Sequence, residues 1–166
     1  TRVFLKAGTG GDGCMSFLRQ KYMPNGGPNG GNGGKGGDLI LQADENVADL
    51  RNYHFKKHWK ARNGEPGRGS DQNGKGGDPC ILKVPMGTEI REIGTGDLIC
   101  ELLEHEQEVL LLEGGKGGRG NATFKSSINQ TPRQFTEGKM GMEGEYKFNL
   151  KNISYIGLLG FQKAGY

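Results

Sequence analysis

Glycine at every third position is the feature that most restricts how this chain can fold. It appears as Gly8 and Gly11, with Gly10 and Gly13 interleaved, and as Gly27, Gly30, Gly33 and Gly36, shadowed by Gly31, Gly34 and Gly37. It returns as Gly114, Gly117 and Gly120 with Gly115 and Gly118, more loosely as Gly64, Gly67, Gly74 and Gly77, and as an echo at Gly138, Gly141 and Gly144. A period of three matches neither the α-helix nor the β-strand. It matches polyproline II, which turns once in 3 residues, rises about 3.1 Å per residue and has no internal hydrogen bonds. One glycine per turn bares one side of such a helix, and a second bares another. Neighbouring segments can then approach until their N–H and C=O groups pair, as buried backbone groups must. The expectation is a bundle of short polyproline II segments with Asn29, Asn32, Lys35 and Asp38 on the remaining polar faces. Flexible Gly/Asn linkers are the alternative, but a linker has no reason to keep one period in separated tracts.

Such a bundle needs a hydrophobic base, because ordering glycine is entropically costly. Glycine supplies 32 of 166 residues, yet 33% of the chain is hydrophobic. Collagen, with glycine at one residue in about three throughout, is excluded, and so is a run of about 20 apolar residues able to span a membrane as a helix. Strand-like stretches fall at Val3–Ala7, Leu39–Ala43, Ile81–Val84, Thr88–Ile93, Leu98–Leu102, Val109–Leu112, Tyr146–Leu150 and Tyr155–Leu159. Hairpin-type turns are expected at Pro85–Gly87 and Thr95–Gly96. No long amphipathic helix is evident, and only Asn46–Asp49 hints at a helical turn. The fold class is therefore mostly β: a sheet or barrel from which glycine segments project.

The net charge of +3 allows an acidic partner without demanding one. Cys14, Cys80 and Cys100 are odd in number and far apart, so buried free thiols are expected instead of a disulfide framework or zinc site. The chain opens on Thr1 directly into a strand-like run and reads as part of something longer. Residues 51–62 carry Arg51, Lys56, Lys57, Lys60 and Arg62 with Tyr53, Phe55 and Trp59 interleaved and no acid. That suits single-stranded or irregular RNA, or equally a solvated face over a strand. His54 and His58 lack the adjacent glutamate of a zinc-protease helix, and His105 sits in an acidic run. No catalytic constellation and no metal site is expected. Near the C-terminus an apolar strand runs into Gly160-Phe-Gln-Lys-Ala-Gly165-Tyr166. This is the opening of a phosphate-cradling P-loop, with Tyr166 where lysine belongs.

Taken together, these stretches resemble the Obg family of GTPases at its glycine-rich N-terminal domain. The resemblance rests on Lys6-AGTGGDGCMSF-Leu18, Lys21-YMPNGGPNGGNGGKGGDLIL, Lys60-ARNGEPG, Lys83-VPMGT, Glu113-GGKGGRGNATFKSS and Asn129-QTPR, in the family's order. It implies the Obg fold, six glycine-rich polyproline II helices on a small β-barrel, over 1–152. Residues 153–166 then form the first strand and degenerate P-loop of a G domain otherwise absent. It also implies a GTP-dependent factor for late assembly of the large ribosomal subunit, working as a monomer beside ribosomal proteins and other assembly factors, with no membrane role. Its loop tips would lie against rRNA near the peptidyl-transferase region. Carried over by position, the tips are Lys21–Asn29, Ser70–Lys75 and Thr131–Lys139, and the RNA-binding candidates are Lys21, Tyr22, Asn25, Lys75, Arg133, Gln134 and Lys139.

The resemblance implies GTP and Mg2+ as cofactors of the G domain, none being expected within this chain. Gln162, Lys163 and Tyr166 depart from the family's P-loop. Gly160, Lys163 and Gly165 are what remains of the nucleotide contacts in this degenerate P-loop, and the chain as given should not hydrolyse GTP. Compatible settings are the bacterial cytoplasm, the mitochondrial matrix and the chloroplast, in association with ribosomes. The rival reading is a structural or interaction module of the ice-binding kind, which would show a flat, weakly charged face.

Overall fold

A computed structural model describes residues 1–17, 26–125 and 131–151. Its strands are β1 (Arg2–Lys6), β2 (Leu39–Ala43), β3 (His58–Lys60), β4 (Cys80–Val84), β5 (Thr88–Glu92), β6 (Leu98–Leu102), β7 (Glu108–Leu112) and β8 (Glu143–Leu150). A short helix α1 spans Arg51–Phe55, and a 3-10 turn covers Asn121–Phe124. The strands form a five-stranded sheet in the order β3-β1-β8-β5-β6 and a three-stranded sheet in the order β4-β2-β7.

Alternation explains the base. In β1, Val3 and Leu5 are buried between exposed Arg2 and Phe4, and in β2 Leu39, Leu41 and Ala43 are buried on one face. Leu82, Val84, Ile90, Leu102, Leu112, Tyr146 and Phe148 join them in one core shared by both sheets. The mostly-β expectation holds, with two sheets closing on one core. Glu89 on β5 accepts a hydrogen bond from the Arg91 guanidinium at 2.9 Å, which holds its carboxyl below the usual carboxylate range, with Lys151 adding to the effect.

Above the base the chain changes period without changing partners. Beyond the β1–β8 pair Lys6–Glu143, the N–H groups of Ala7, Gly10 and Gly13 donate to the carbonyls of Met142, Lys139 and Thr136, one bond every three residues in the same register. Likewise Ala61, Gly64 and Gly67 donate to Lys6, Thr9 and Asp12, carrying the parallel β1–β3 pairing upward. Segments 61–68, 7–14 and 136–142 thus form one row over β3-β1-β8.

The second row stands over β4-β2-β7 and consists of 71–78, 29–37 and 114–121. Here Gly74, Gly77 and Cys80 donate to Asn32, Lys35 and Asp38, while Gly33 and Gly36 donate to Gly118 and Gly115. The rows are stitched together where Gly8, Gly11 and Cys14 donate to Gly37, Gly34 and Gly31. Six extended segments in two rows of three make the glycine bundle.

The glycines of the bundle are required by space, not by backbone angle. Positive φ occurs among the described glycines only at Gly87 and Gly96. A Cβ on Gly33 would instead coincide with the carbonyl of Gly11, and one on Gly36 with that of Gly8. Polar side chains complete the network. Asn32 Oδ1 accepts from Gly120 N–H at 2.9 Å, Asp38 Oδ1 from Gly114 N–H and Asp12 Oδ1 from Gly138 N–H, both at 2.8 Å.

Several expectations need correction. Asn29 is 7% exposed and lies inside the bundle instead of on a polar face. The Pro85–Gly87 turn is not a hairpin, because β4 and β5 belong to different sheets; it is a corner, closed by Thr88 Oγ1 donating to the Pro85 carbonyl at 2.6 Å. The helical turn falls at Arg51–Phe55, not Asn46–Asp49, and β3 was not anticipated. The three cysteines are free and half-buried. The strand expected at Tyr155–Leu159 lies outside the described residues.

Candidate functional site

The rows have two ends. One merges with the sheets. At the other, the chain turns back between the first and second segments, the third and fourth, and the fifth and sixth. Those turns bring residues 15–17, 28–29, 69–71, 121–125 and 131–134 together, roughly 20 Å from the sheets at about 3.1 Å per residue.

Asn121 holds this end together. It is fully buried, and its Oδ1 accepts from the N–H of Gly30 at 2.8 Å and of Ser16 at 3.3 Å. Its Nδ2 donates to the carbonyls of Ser16 at 2.9 Å and Pro132 at 3.2 Å. One carboxamide therefore ties the first, second, fifth and sixth segments at their outer end, and it shares the Ser16 carbonyl with the Asn29 N–H.

A groove of about 470 Å³ opens beside it, lined by Met15, Ser16, Phe17, Asn29, Gly69, Ser70 and Arg133. The Arg133 guanidinium lies 5.3 Å from the centre of the Phe17 ring. Arg119 makes a second pair of this kind, 4.7 Å over Phe124. The turn opposite is tight, with Ser70 and Asp71 at φ 61° and 57°. Exposed Arg68, Arg119, Lys125 and Arg133 outnumber Asp71 at this end. A stacked guanidinium presents a flat cationic face, suited to phosphate and to unstacked bases alike.

The sequence-derived site residues divide accordingly. Arg133 and Gln134 are exposed at the outer end. Lys75 and Lys139 are exposed on the bundle's flanks at about mid-height: the Lys75 carbonyl accepts from Glu65 N–H, and the Lys139 carbonyl from Gly10 N–H. The tip ranges drawn from sequence therefore run too far down the bundle. Lys21, Tyr22 and Asn25 lie outside the described residues, as do Gly160, Lys163 and Gly165. The basic stretch 51–62 lies at the base, with Tyr53 in the core and Phe55 83% exposed. Asn121, Phe17 and Asn29 were not anticipated as parts of the site. The Gly120-Asn-Ala-Thr-Phe124 sequence directly after the last dense glycine run was the only local signal. Among the described residues no group of three or more His, Cys, Asp or Glu could hold a metal ion, and no helix is long and apolar enough to cross a membrane.

Paired sheets carrying two rows of glycine segments, with a cationic turn cluster at the outer end, define a glycine-bundle domain of the Obg kind. A sequence profile of the GTP1/OBG family matches residues 1–152. The chain is 47% identical over 164 residues to GTPase Obg of Sulfurihydrogenibium sp. (strain YO3AOP1), covering 99% of this chain and 47% of that protein. It is 46% identical over 164 residues to GTPase Obg of Persephonella marina (strain DSM 14350 / EX-H1), covering 99% of this chain and 48% of that protein. The chain belongs to the GTP1/OBG family, and it spans about half the length of these relatives.

Proposed function

We propose that this chain is the RNA-contacting domain of a GTP-dependent assembly factor for the large ribosomal subunit. The domain engages rRNA near the peptidyl-transferase region through the outer turns of its glycine bundle. The observation that carries this reading is the groove walled by Phe17 and Arg133, with a second arginine–aromatic pair nearby. A polyanion with unstacked bases offers both the charge and the flat faces those pairs complement. The length of the bundle supports it too, because it holds the cationic end well clear of the base as a stiff probe. An ice-binding face should be flat and weakly charged, and this end is neither.

GTP binding belongs, on this reading, to the part of the relatives' length that this chain does not cover. Tyr166 at the P-loop lysine position makes a mant-GTP titration of the full-length protein the direct check of that part. The setting is a ribosome-associated one, in bacterial cytoplasm, mitochondrial matrix or chloroplast. Arg133→Ala in the full-length protein should weaken binding to isolated large subunits about tenfold, from the lost stacked cation. It should also reduce the salt slope of log K by about one. Filter binding across a salt series measures both, and unchanged affinity and slope would sink the assignment of this groove.

A further inference from the structure

At the opposite end of the molecule, on the outer face of the five-stranded sheet, a second stacking surface stands open. Register sets Phe4 of β1 opposite His58 of β3, and Lys6 opposite Lys60. The alternation that buries Val3 and Leu5 turns Phe4 outward at 39% exposed, and His58 and Lys60 are exposed with it. The rings of Phe4 and His58 stack, 4.7 Å between centres and 8° from parallel. Because β3 is the edge strand, no strand lies beyond His58 among the described residues, and there the stack ends on an exposed imidazole face.

Lys6 and Lys60 share that face with the stack by register, and further cations lie along the same edge. Lys56, Lys57, Lys60 and Arg62 are all exposed. Lys56 lies 4.3 Å over the Trp59 ring, while Lys6 approaches Glu143 at 3.8 Å. A cavity of about 530 Å³ runs alongside, lined by Phe4, Lys6, His58, Trp59, Lys60 and Glu143 among others. Glu143 is the only acid among the described residues of its lining.

We infer that this face is a second nucleic-acid site, separate from the outer turns. A single-stranded RNA segment stacks one base on His58, extending the Phe4–His58 pair, and lays its phosphates along Lys60 and Lys6, which share that face. An acidic peptide would satisfy the lysines but has no use for an open ring face. Base stacking on an aromatic platform combined with basic tracking of the backbone is how unpaired strands are held without sequence preference. The site stands whether or not the outer turns engage rRNA, since no residue is shared between them.

The test uses the full-length protein and a short unstructured oligoribonucleotide carrying 2-aminopurine, whose emission is quenched by stacking. Binding should quench the probe. Phe4→Ala and His58→Ala should each abolish the quench and weaken affinity about tenfold, whereas His58→Tyr, which keeps a stacking face, should retain both. Lys6→Glu with Lys60→Glu should lower the salt slope by about two. Unchanged quench and affinity in both alanine variants would overturn the site. So would Arg133→Ala abolishing the quench as fully as His58→Ala, which would put the stacking at the outer turns. Equal, His58-dependent binding of a poly-glutamate peptide would assign the face to a protein partner instead.

Discussion

Gly33→Ala is expected to destabilise the domain by at least about 3 kcal/mol. The added methyl would occupy the position of the Gly11 carbonyl, with Asp12 O also in reach. That strand of backbone cannot retreat: Gly11 N–H donates to Gly34 O at 2.8 Å, and Gly11 O accepts from Gly118 N–H at 2.7 Å. Moving it breaks bonds worth about 0.5–1.5 kcal/mol each, on top of an overpacking penalty of about 1–3 kcal/mol. The entropy gained by restricting the unfolded chain, about 0.4–1 kcal/mol, is too small to compensate. Gly94 supplies the control, since a Cβ there meets nothing within 4 Å and the backbone is not left-handed. Gly94→Ala should be neutral or slightly stabilising. Urea midpoints of the two variants should fall on opposite sides of the parent or nearly so. Equal midpoints would mean that the bundle tolerates side chains between its rows.

Asn121→Asp is expected to lower stability by about 3 kcal/mol or more and to loosen the outer turns selectively. The substitution keeps the acceptor facing Gly30 and Ser16 N–H but replaces the donor facing the Ser16 and Pro132 carbonyls with a second oxygen. The Pro132 carbonyl loses its donor at about 1–3 kcal/mol, the Ser16 carbonyl keeps only the Asn29 N–H, and any charge on the carboxyl is buried without a cation. Asn121→Leu tests the same centre without charge, and it strands the N–H groups as well. Hydrogen exchange distinguishes the effect from general unfolding. Protection should fall at Gly30, Ser16 and Asn121 while the β2 amides keep theirs. Uniform loss in both regions would show that Asn121 contributes to global stability but does not hold the turns.

These positions show what could be read in the sequence. The strands β2 and β6 were legible residue for residue, because apolar residues dominate both and an aspartate, Asp38 or Asp97, stands directly before each. The glycine period was legible too, since only close backbone contact demands glycine at one or two residues in every three. The two-row arrangement was not, because the order of segments is inherited from sheet pairing, and pairing between positions such as Gly11 and Gly118 has no local signature. Asn121 was missed for the same reason. Its partners at Gly30 and Ser16 are 91 and 105 residues away, and an asparagine after glycine looks like any turn.

β3 and α1 were hidden by composition. Residues 51–62 read as charge because Tyr53 is the single buried residue of α1, and β3 exists through its partner β1 more than through its own three residues. Lys75 and Lys139 were assigned to the tips because a period of three fixes which face a residue occupies, while leaving its height along the bundle unspecified. That difference in height now separates two charge sets that were grouped together on the sequence.

The most direct test of the central claim, that the outer turns of the glycine bundle are the rRNA-facing end, compares those two sets in the full-length protein. One variant carries Lys125→Ala and Arg133→Ala at the turns, and the other carries Lys75→Ala and Lys139→Ala on the flanks, each removing two positive charges. Cosedimentation with purified large ribosomal subunits over a salt series should show the first losing affinity at least about tenfold with a salt slope reduced by about two. The second should stay near the parent. Equal losses in both, or retention by the turn variant with loss by the flank variant, would contradict the claim.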